Sequence, residues 1–347
     1  MAIVENAVYV KGLRTANPAS LDETYEVLRE RQGMAWIGLY RPDEAELRSV
    51  AQEFTLHHLA VDDAISAHQR PKLDRYGDTL FVVLRPARYL DDVEKVEFGE
   101  LHVFVGPAFV VTVRHAESPD LAKVRRRLED KPALLSLGPE AVLYAILDQV
   151  VDEYGPVVAG LENDIDEIED ELFDGDPAVS RRIYELSREV IAFQRATHPL
   201  VSILEALQLG FDKYAVDLEL QRNLRDVHDH TVRVVERVDG FRALLQNALL
   251  VQTSLLGQRQ NEETRHLTEA SLKQNERGQE DLLVGSDPVR TDAGRHHLRD
   301  ELPPHAGAGV GGRLPPGVDP DGHHLRDPVH GVQAAAVALR RSVGGAR

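Results

Sequence analysis

The chain of 347 residues contains no cysteine, which excludes disulfides and thiolate metal sites. Positive charge is in short supply: Lys and Arg number 40 against 58 Asp and Glu, a formal net charge of −18. Such a balance repels nucleic acid and anionic lipid and attracts cations. Long apolar runs are missing too. No stretch reaches the ~18–20 apolar residues that span a bilayer. The nearest, ALLQNALLVQTSLLG (243–257), is interrupted by Gln246, Asn247 and Gln252. The opening MAIVENAVYVKG lacks the basic stretch and apolar run of a secretory leader. As written, the chain is expected to be soluble. No Ser-His-Asp set, HExxH pattern or pair of catalytic carboxylates stands out, so an enzyme is not expected.

What is present falls into three regions, and the length allows two domains or one with a long helical extension. Residues 1–138 read as an α/β domain with a mixed sheet. AWIGLY (35–40), TLFVVLRPARYL (79–90), ELHVFVG (100–106) and AFVVTVRH (108–115) are short, rich in β-branched and aromatic residues and bounded by Gly, Pro or Asp. GPA (106–108) predicts a tight hairpin turn. DEAELRSVAQEF (43–54) has Asp43 where an N-cap belongs.

Residues 139–277 read as long helices: one ending near DGDP (174–177), one from about 178 to 209 with Pro199 inside it, and one from about 213 to about 276. In the last, Leu224, Val227, Thr231, Val234, Val238, Phe241, Leu245 and Ala248 alternate by three and four, a heptad seam. A bundle within one subunit would bury it. So would a stalk shared between copies, which the length of the seam favours. QNE recurs at 260–262 and 274–276, two heptads apart and so on one face of a supercoiled helix. The fold class is therefore α+β: an N-terminal mixed-sheet domain, then long helices forming an oligomeric stalk.

Residues 278–347 form the third region. They contain no Phe, Tyr, Trp, Met, Ile, Lys or Asn, and a disordered tail is expected. HHLRD appears in it twice, at 296–300 and 323–327, a pairing that invites a metal-binding reading. GAGVGG (307–312) resembles a phosphate loop, but no strand precedes it.

Several stretches resemble the CorA family of magnesium and cobalt transport proteins: LAVDDAISAHQRPKLDRYGDTLFVVL (59–84), ELHVFVGPAFVVTVRH (100–115), YAILDQVVDEYGPVVAGLENDIDEIE (144–169) and RDVHDHTVRVVERVDGFRALLQ (225–246). They cover most of residues 30–276 in family order. The resemblance implies a plasma-membrane homopentamer whose α/β domain lies in the cytosol. Mg2+ is then both regulator and cargo, with Co2+ as a further cargo. Members continue from the stalk into two transmembrane helices, the first ending in Gly-Met-Asn at the outer pore mouth. That motif is not in this sequence.

The tail explains the departure if it is read one base later. Each shifted codon takes its first and third bases from the written residues; only the middle base is free. With suitable middle bases, Gln279-Glu280-Asp281-Leu282-Leu283-Val284-Gly285 can reread as Arg-Lys-Ile-Ser-Ser-Trp, and Leu298-Arg299-Asp300-Glu301-Leu302 as Tyr-Gly-Met-Asn. The recovered Asn falls at codon 301, 26 positions after Asn275 (301 − 275), the separation the resemblance implies. Val332–Ala338 can reread as Phe-Lys-Arg-Arg-Arg-Trp, a basic end like the family's cytosolic C-terminus. The free middle base largely decides whether a codon is apolar, so recovered hydrophobicity carries no weight. The fixed bases, the motif order and the spacing do. One extra G near codons 277 and 278 suffices, and both HHLRD copies can then reread with Thr-Ile pairs in place of the histidines.

The resemblance assigns site residues one at a time. Asp62 and Asp63 lie in the VDDAISAHQRPK stretch and Asp226 in RDVHDH. Family acids there lie at the contact between neighbouring subunits and bind Mg2+, a role carried to Asp63 and Asp226. Mg2+ prefers oxygen, keeps several waters and needs only one or two carboxylates. Losing the ion would leave the carboxylates repelling, which makes a sensor. Asn275 matches an Asn lining the cytosolic end of the pore. Without the resemblance these residues read as ordinary surface acids and a polar stalk position. The run ENDIDEIEDE (162–171) is expected to attract cations diffusely, with Ile165, Ile168 and Leu172 as its buried stripe. His228 and His230, two apart on a helix, do not share a face. The competing reading is a soluble cytosolic Mg2+-binding regulatory oligomer.

Overall fold

The computed structural model describes residues 3–67, 69–174, 178–214 and 216–284. The expected disordered tail, both HHLRD copies and GAGVGG lie almost wholly outside them. The chain divides into a compact unit, Met1–Glu280, and a second, Asp281–Arg347, of which only the helical start to Val284 is described.

The first unit begins with strands β1 (Ile3–Val10) and β2 (Leu13–Ala16), helix α1 (Leu21–Arg31), strand β3 (Met34–Tyr40) and helices α2 (Glu44–Glu53) and α3 (His58–Ser66). Strands β4 (Lys72–Tyr76), β5 (Thr79–Leu84), β6 (Ala87–Leu90), β7 (Lys95–Phe98), β8 (Leu101–Gly106) and β9 (Phe109–Arg114) follow. Seven strands form one sheet in the order β2-β1-β3-β9-β8-β5-β4. Only the β3–β9 pair is parallel, so the expected mixed sheet is present.

Alternation along the strands feeds two cores, because successive side chains leave a strand on opposite faces. Ala35, Ile37, Leu39, Phe81, Val83, Phe104, Val111 and Val113 pack with α2 and α3. Trp36, Val82, Leu84, Leu101, Val103, Val105 and Val110 pack with the later helices. Asp43 caps α2 as expected, through a capping box in which Glu46 N–H donates to Asp43 Oδ1 and Asp43 N–H to Glu46 Oε2. The GPA turn joins β8 to β9, with Gly106 paired to Phe109. A Cβ on Gly106 would lie 2.2 Å from the Phe109 ring.

The apolar run 79–90 is not one strand. It breaks at Arg85-Pro86, where proline has no N–H to give a ladder and its carbonyl accepts from Gly99 N–H at 2.8 Å. Beyond the break, β6 pairs with β7 as a separate ribbon lying on the long helices.

Those helices are α6 (Pro139–Asp174), α7 (Val179–Lys213) and α8 (Leu218–Val284), after short α4 (Leu121–Glu129) and α5 (Pro132–Leu135). The ribbon seats on α6 through Tyr89. Its ring lies where a Cβ on Gly160 would be, 2.4 Å away, and its hydroxyl donates to Asp164 Oδ2 at 2.6 Å. Helix α8 has 67 residues, on the order of 100 Å long, and continues past the expected end near 276.

Every seam residue from Leu224 to Ala248 is buried, and this part of the seam closes within the subunit. Gln194 Nε2 of α7 donates to Asp239 Oδ1 at 2.6 Å, His198 Nε2 lies 2.8 Å from the same oxygen, and Arg237 pairs with Glu162 of α6. The cover ends at Gln252. From Thr253 to Asn275 the side chains are exposed, with Leu255 half-buried. Among the described residues, no helix is long and apolar enough to cross a membrane.

Candidate metal centre

Helix α3 is built to present acids outward. His57 caps it, Nδ1 accepting from Leu59 N–H at 3.3 Å. Ala60, Val61 and Ala64 bury its inner face, which leaves Asp62 and Asp63 towards solvent. Asp62 lies 3.6 Å from Arg48, itself paired with Glu44. Asp63 is more enclosed: its Oδ2 accepts from Lys72 Nζ of β4 at 2.7 Å, and Lys72 reaches Asp74 Oδ2 at 2.8 Å.

The far end of α3 rests on a histidine pair. His115 Nε2 meets the Ala64 carbonyl at 3.1 Å. His102 is fully buried, 2.9 Å from Glu100 Oε1 with neither ring nitrogen in hydrogen-bonding geometry. Glu100 also accepts from Gln69 N–H at 3.1 Å. Burial, then the neighbouring His102, push the His115 pKa down.

Asp226 sits on α8 one residue before seam residue Val227 and is exposed. Its charge reaches α6. Burial first, then Asp148, push the Tyr144 hydroxyl up to about 12, and Asp226 adds to this. Asp148 is likewise raised by burial, against the pull of Arg127 at 2.9 Å.

Asn275 is exposed on α8, 49 residues beyond Asp226 (275 − 226) and on the order of 70 Å along the helix axis. The three candidate residues are therefore not one site. Among the described residues, no cluster of three or more His, Asp or Glu could hold a metal within the chain. The donor chemistry at Asp63 and Asp226, carboxylate oxygen reachable from water, suits a hard cation that keeps its own waters.

The acidic run is less open to cations than its sequence reads. Ile165, Ile168 and Leu172 are buried as expected, but Asp164 is buried as well, under Tyr89. Glu167 and Glu171 are taken by Arg182, which also pairs with Glu94, and Glu162 by Arg237. His228 and His230 diverge as predicted, towards Glu205 of α7 at 3.9 Å and Asp152 of α6 at 3.6 Å. Sequence reasoning missed Lys72 and Arg182. RPK (70–72) stands in plain view, but nothing local says that its Lys reaches back nine residues to Asp63.

Comparisons with known proteins identify the family and the fold. The model of the family described as CorA-like Mg2+ transporter protein matches residues 31–272. The chain is 32% identical over 208 residues to YfjQ of Bacillus subtilis, which covers 60% of this chain and 64% of that protein. The match thus spans under two thirds of that relative's length. With the cobalt/magnesium transport protein CorA of Thermotoga maritima it shares 24% identity over 245 residues, 69% of each chain. In structure it resembles the soluble domain of CorA from Methanocaldococcus jannaschii, with TM-score 0.59 and 17% identity over 74% of this chain and 99% of that one. The chain belongs to the CorA-like Mg2+ transporter family.

Proposed function

We propose that this chain is the cytosolic part of a CorA-type Mg2+ and Co2+ transporter, a plasma-membrane homopentamer gated by cytosolic Mg2+. In this reading residues 1–138 are the α/β domain and 139–277 the helix bundle and stalk. Residues 278–347 stand where two transmembrane helices belong, displaced by a frameshift, and the chain as written is transport-defective. One observation supports the reading: the family match runs to 272, and the written residues that follow allow, one base later and with suitable middle bases, Gly-Met-Asn at the spacing the resemblance implies. Resequencing codons 270–285 tests the frame. An undisturbed frame whose codons do not give Gly-Met-Asn sinks it and favours the competing reading, a cytosolic Mg2+-binding regulatory oligomer.

Asp63 of one subunit and Asp226 of the next share a hydrated Mg2+ in this account, and Asn275 faces the ion at the cytosolic pore entrance. What supports the pairing is that each subunit carries both carboxylates on helices, water-accessible, while among the described residues no cluster of three or more His, Asp or Glu could hold a metal within the chain. Transport then involves coordination and gating without covalent chemistry. Sedimentation of the purified chain tests the shared site. Mg2+ should shift it to a larger, tighter assembly, and D63N and D226N should each abolish the shift, with the double variant no worse than either. Single variants that respond to Mg2+ like the parent would contradict the assignment.

A further inference from the structure

Asp63 already has a cation. The Lys72 ammonium lies between Asp63 Oδ2 at 2.7 Å and Asp74 Oδ2 at 2.8 Å. Lys72 and Asp74, two apart on β4, leave the strand on the same face, and Nζ also stands 5.5 Å from the Phe81 ring centroid. The Lys72, Asp63 and Asp74 side chains are 32%, 28% and 38% exposed, open enough for a hydrated ion to enter. Burial works against the ammonium charge, but the bonds to Asp63 and Asp74 outweigh it and hold the Lys72 pKa above the ordinary value.

We propose that Lys72 is a tethered competitor for the ion at Asp63, so that Mg2+ binds only by taking Asp63 away from the Lys72 ammonium, which stays on Asp74. The inference rests on the reading of Asp63 as a Mg2+ ligand. An ammonium and a divalent ion on one carboxylate repel each other strongly at a few ångströms, so Lys72 must yield. Affinity is therefore reduced by the work of parting Lys72 from Asp63, and Asp74 lessens that work by offering a second seat. The two partners of Lys72 then have opposite effects. Removing the lysine charge tightens Mg2+ binding; removing Asp74 weakens it, because Lys72 then leans wholly on Asp63. If Lys72 only seats α3 on β4, its loss displaces Asp63 and weakens binding instead.

Calorimetric titration of Mg2+ into the full chain and its variants decides, with thermal unfolding run on each. Lys72→Met keeps the apolar stem and should lower the Mg2+ Kd roughly two- to fivefold, the range of a partly exposed ion pair. Lys72→Arg keeps the charge and should leave Kd within about twofold of the parent by the same measure. Asp74→Asn should raise Kd by a factor like that for Lys72→Met. It also tests the claim alone should Lys72→Met fold poorly, since a Kd unchanged or lower there overturns it. Asp63→Asn separates the two layers. If it abolishes binding while Lys72→Met leaves Kd unchanged or raised, the competition is wrong and the ligand stands. If it leaves binding intact, the ligand assignment falls, and the competition with it.

Discussion

Asp164 lies only 5% exposed in α6, with one carboxylate oxygen held by the Tyr89 hydroxyl. Burial raises its pKa, and the Tyr89 bond opposes this only in part. A carboxyl whose folded-state pKa is raised favours the fold in acid, and that contribution is lost as pH rises through the folded value. Asp164→Asn keeps an acceptor for Tyr89 without a charge. Urea unfolding should find it as stable as the parent or more so at pH 7, with the difference closing as pH falls towards the ordinary aspartate value of 3.8. A variant less stable at pH 7 than at pH 4, relative to the parent, would refute the burial argument. The helical spacing of Ile165, Ile168 and Leu172 makes the buried stripe of α6 legible. Asp164 beside it reads as solvated, because the tyrosine that covers it stands 75 positions away. Lys72 at Asp63 and Arg182 at Glu94 are illegible for the same reason: their partners are brought together by the sheet and the helix pair.

At the scale of elements, period carries most of the information. The heptad alternation from Leu224 to Ala248 coincides with burial at every position, so the inner face of α8 is readable residue by residue. What covers that face is not, since α6 and α7 of the same subunit offer the same apolar surface that another copy would. Strands β2 and β4 escape notice because LRTA and KLDRY, at the two sheet edges, are half-buried or exposed and carry no alternation. Pro86, by contrast, marks a real boundary inside one apolar run. The end of the cover at Gln252 divides α8 into two regimes. Val238→Asp, at a fully buried seam position, should cost about 3 kcal/mol or more in denaturant unfolding, because it buries an unpaired charge. Leu267→Asp, 72% exposed, should change stability by no more than about 0.5 kcal/mol. Equal losses at the two sites would mean that the exposed stretch is packed in a way the single subunit does not explain.

At the scale of the molecule, fold and family agree, and sequence resemblance identifies both before any coordinate does. The proposed Mg2+ site is legible only through that resemblance, because among the described residues no group of three or more His, Asp or Glu could hold a metal. The proposed frameshift after codon 277 would tie the uncovered end of α8 to a membrane part that this reading frame no longer encodes. Cation uptake by cells that depend on added Mg2+, expressing the chain with its frame restored by one base, tests this most directly. The account predicts Mg2+ uptake from the restored gene and none from the gene as written. A restored protein that inserts correctly into the membrane and moves no Mg2+ would contradict it.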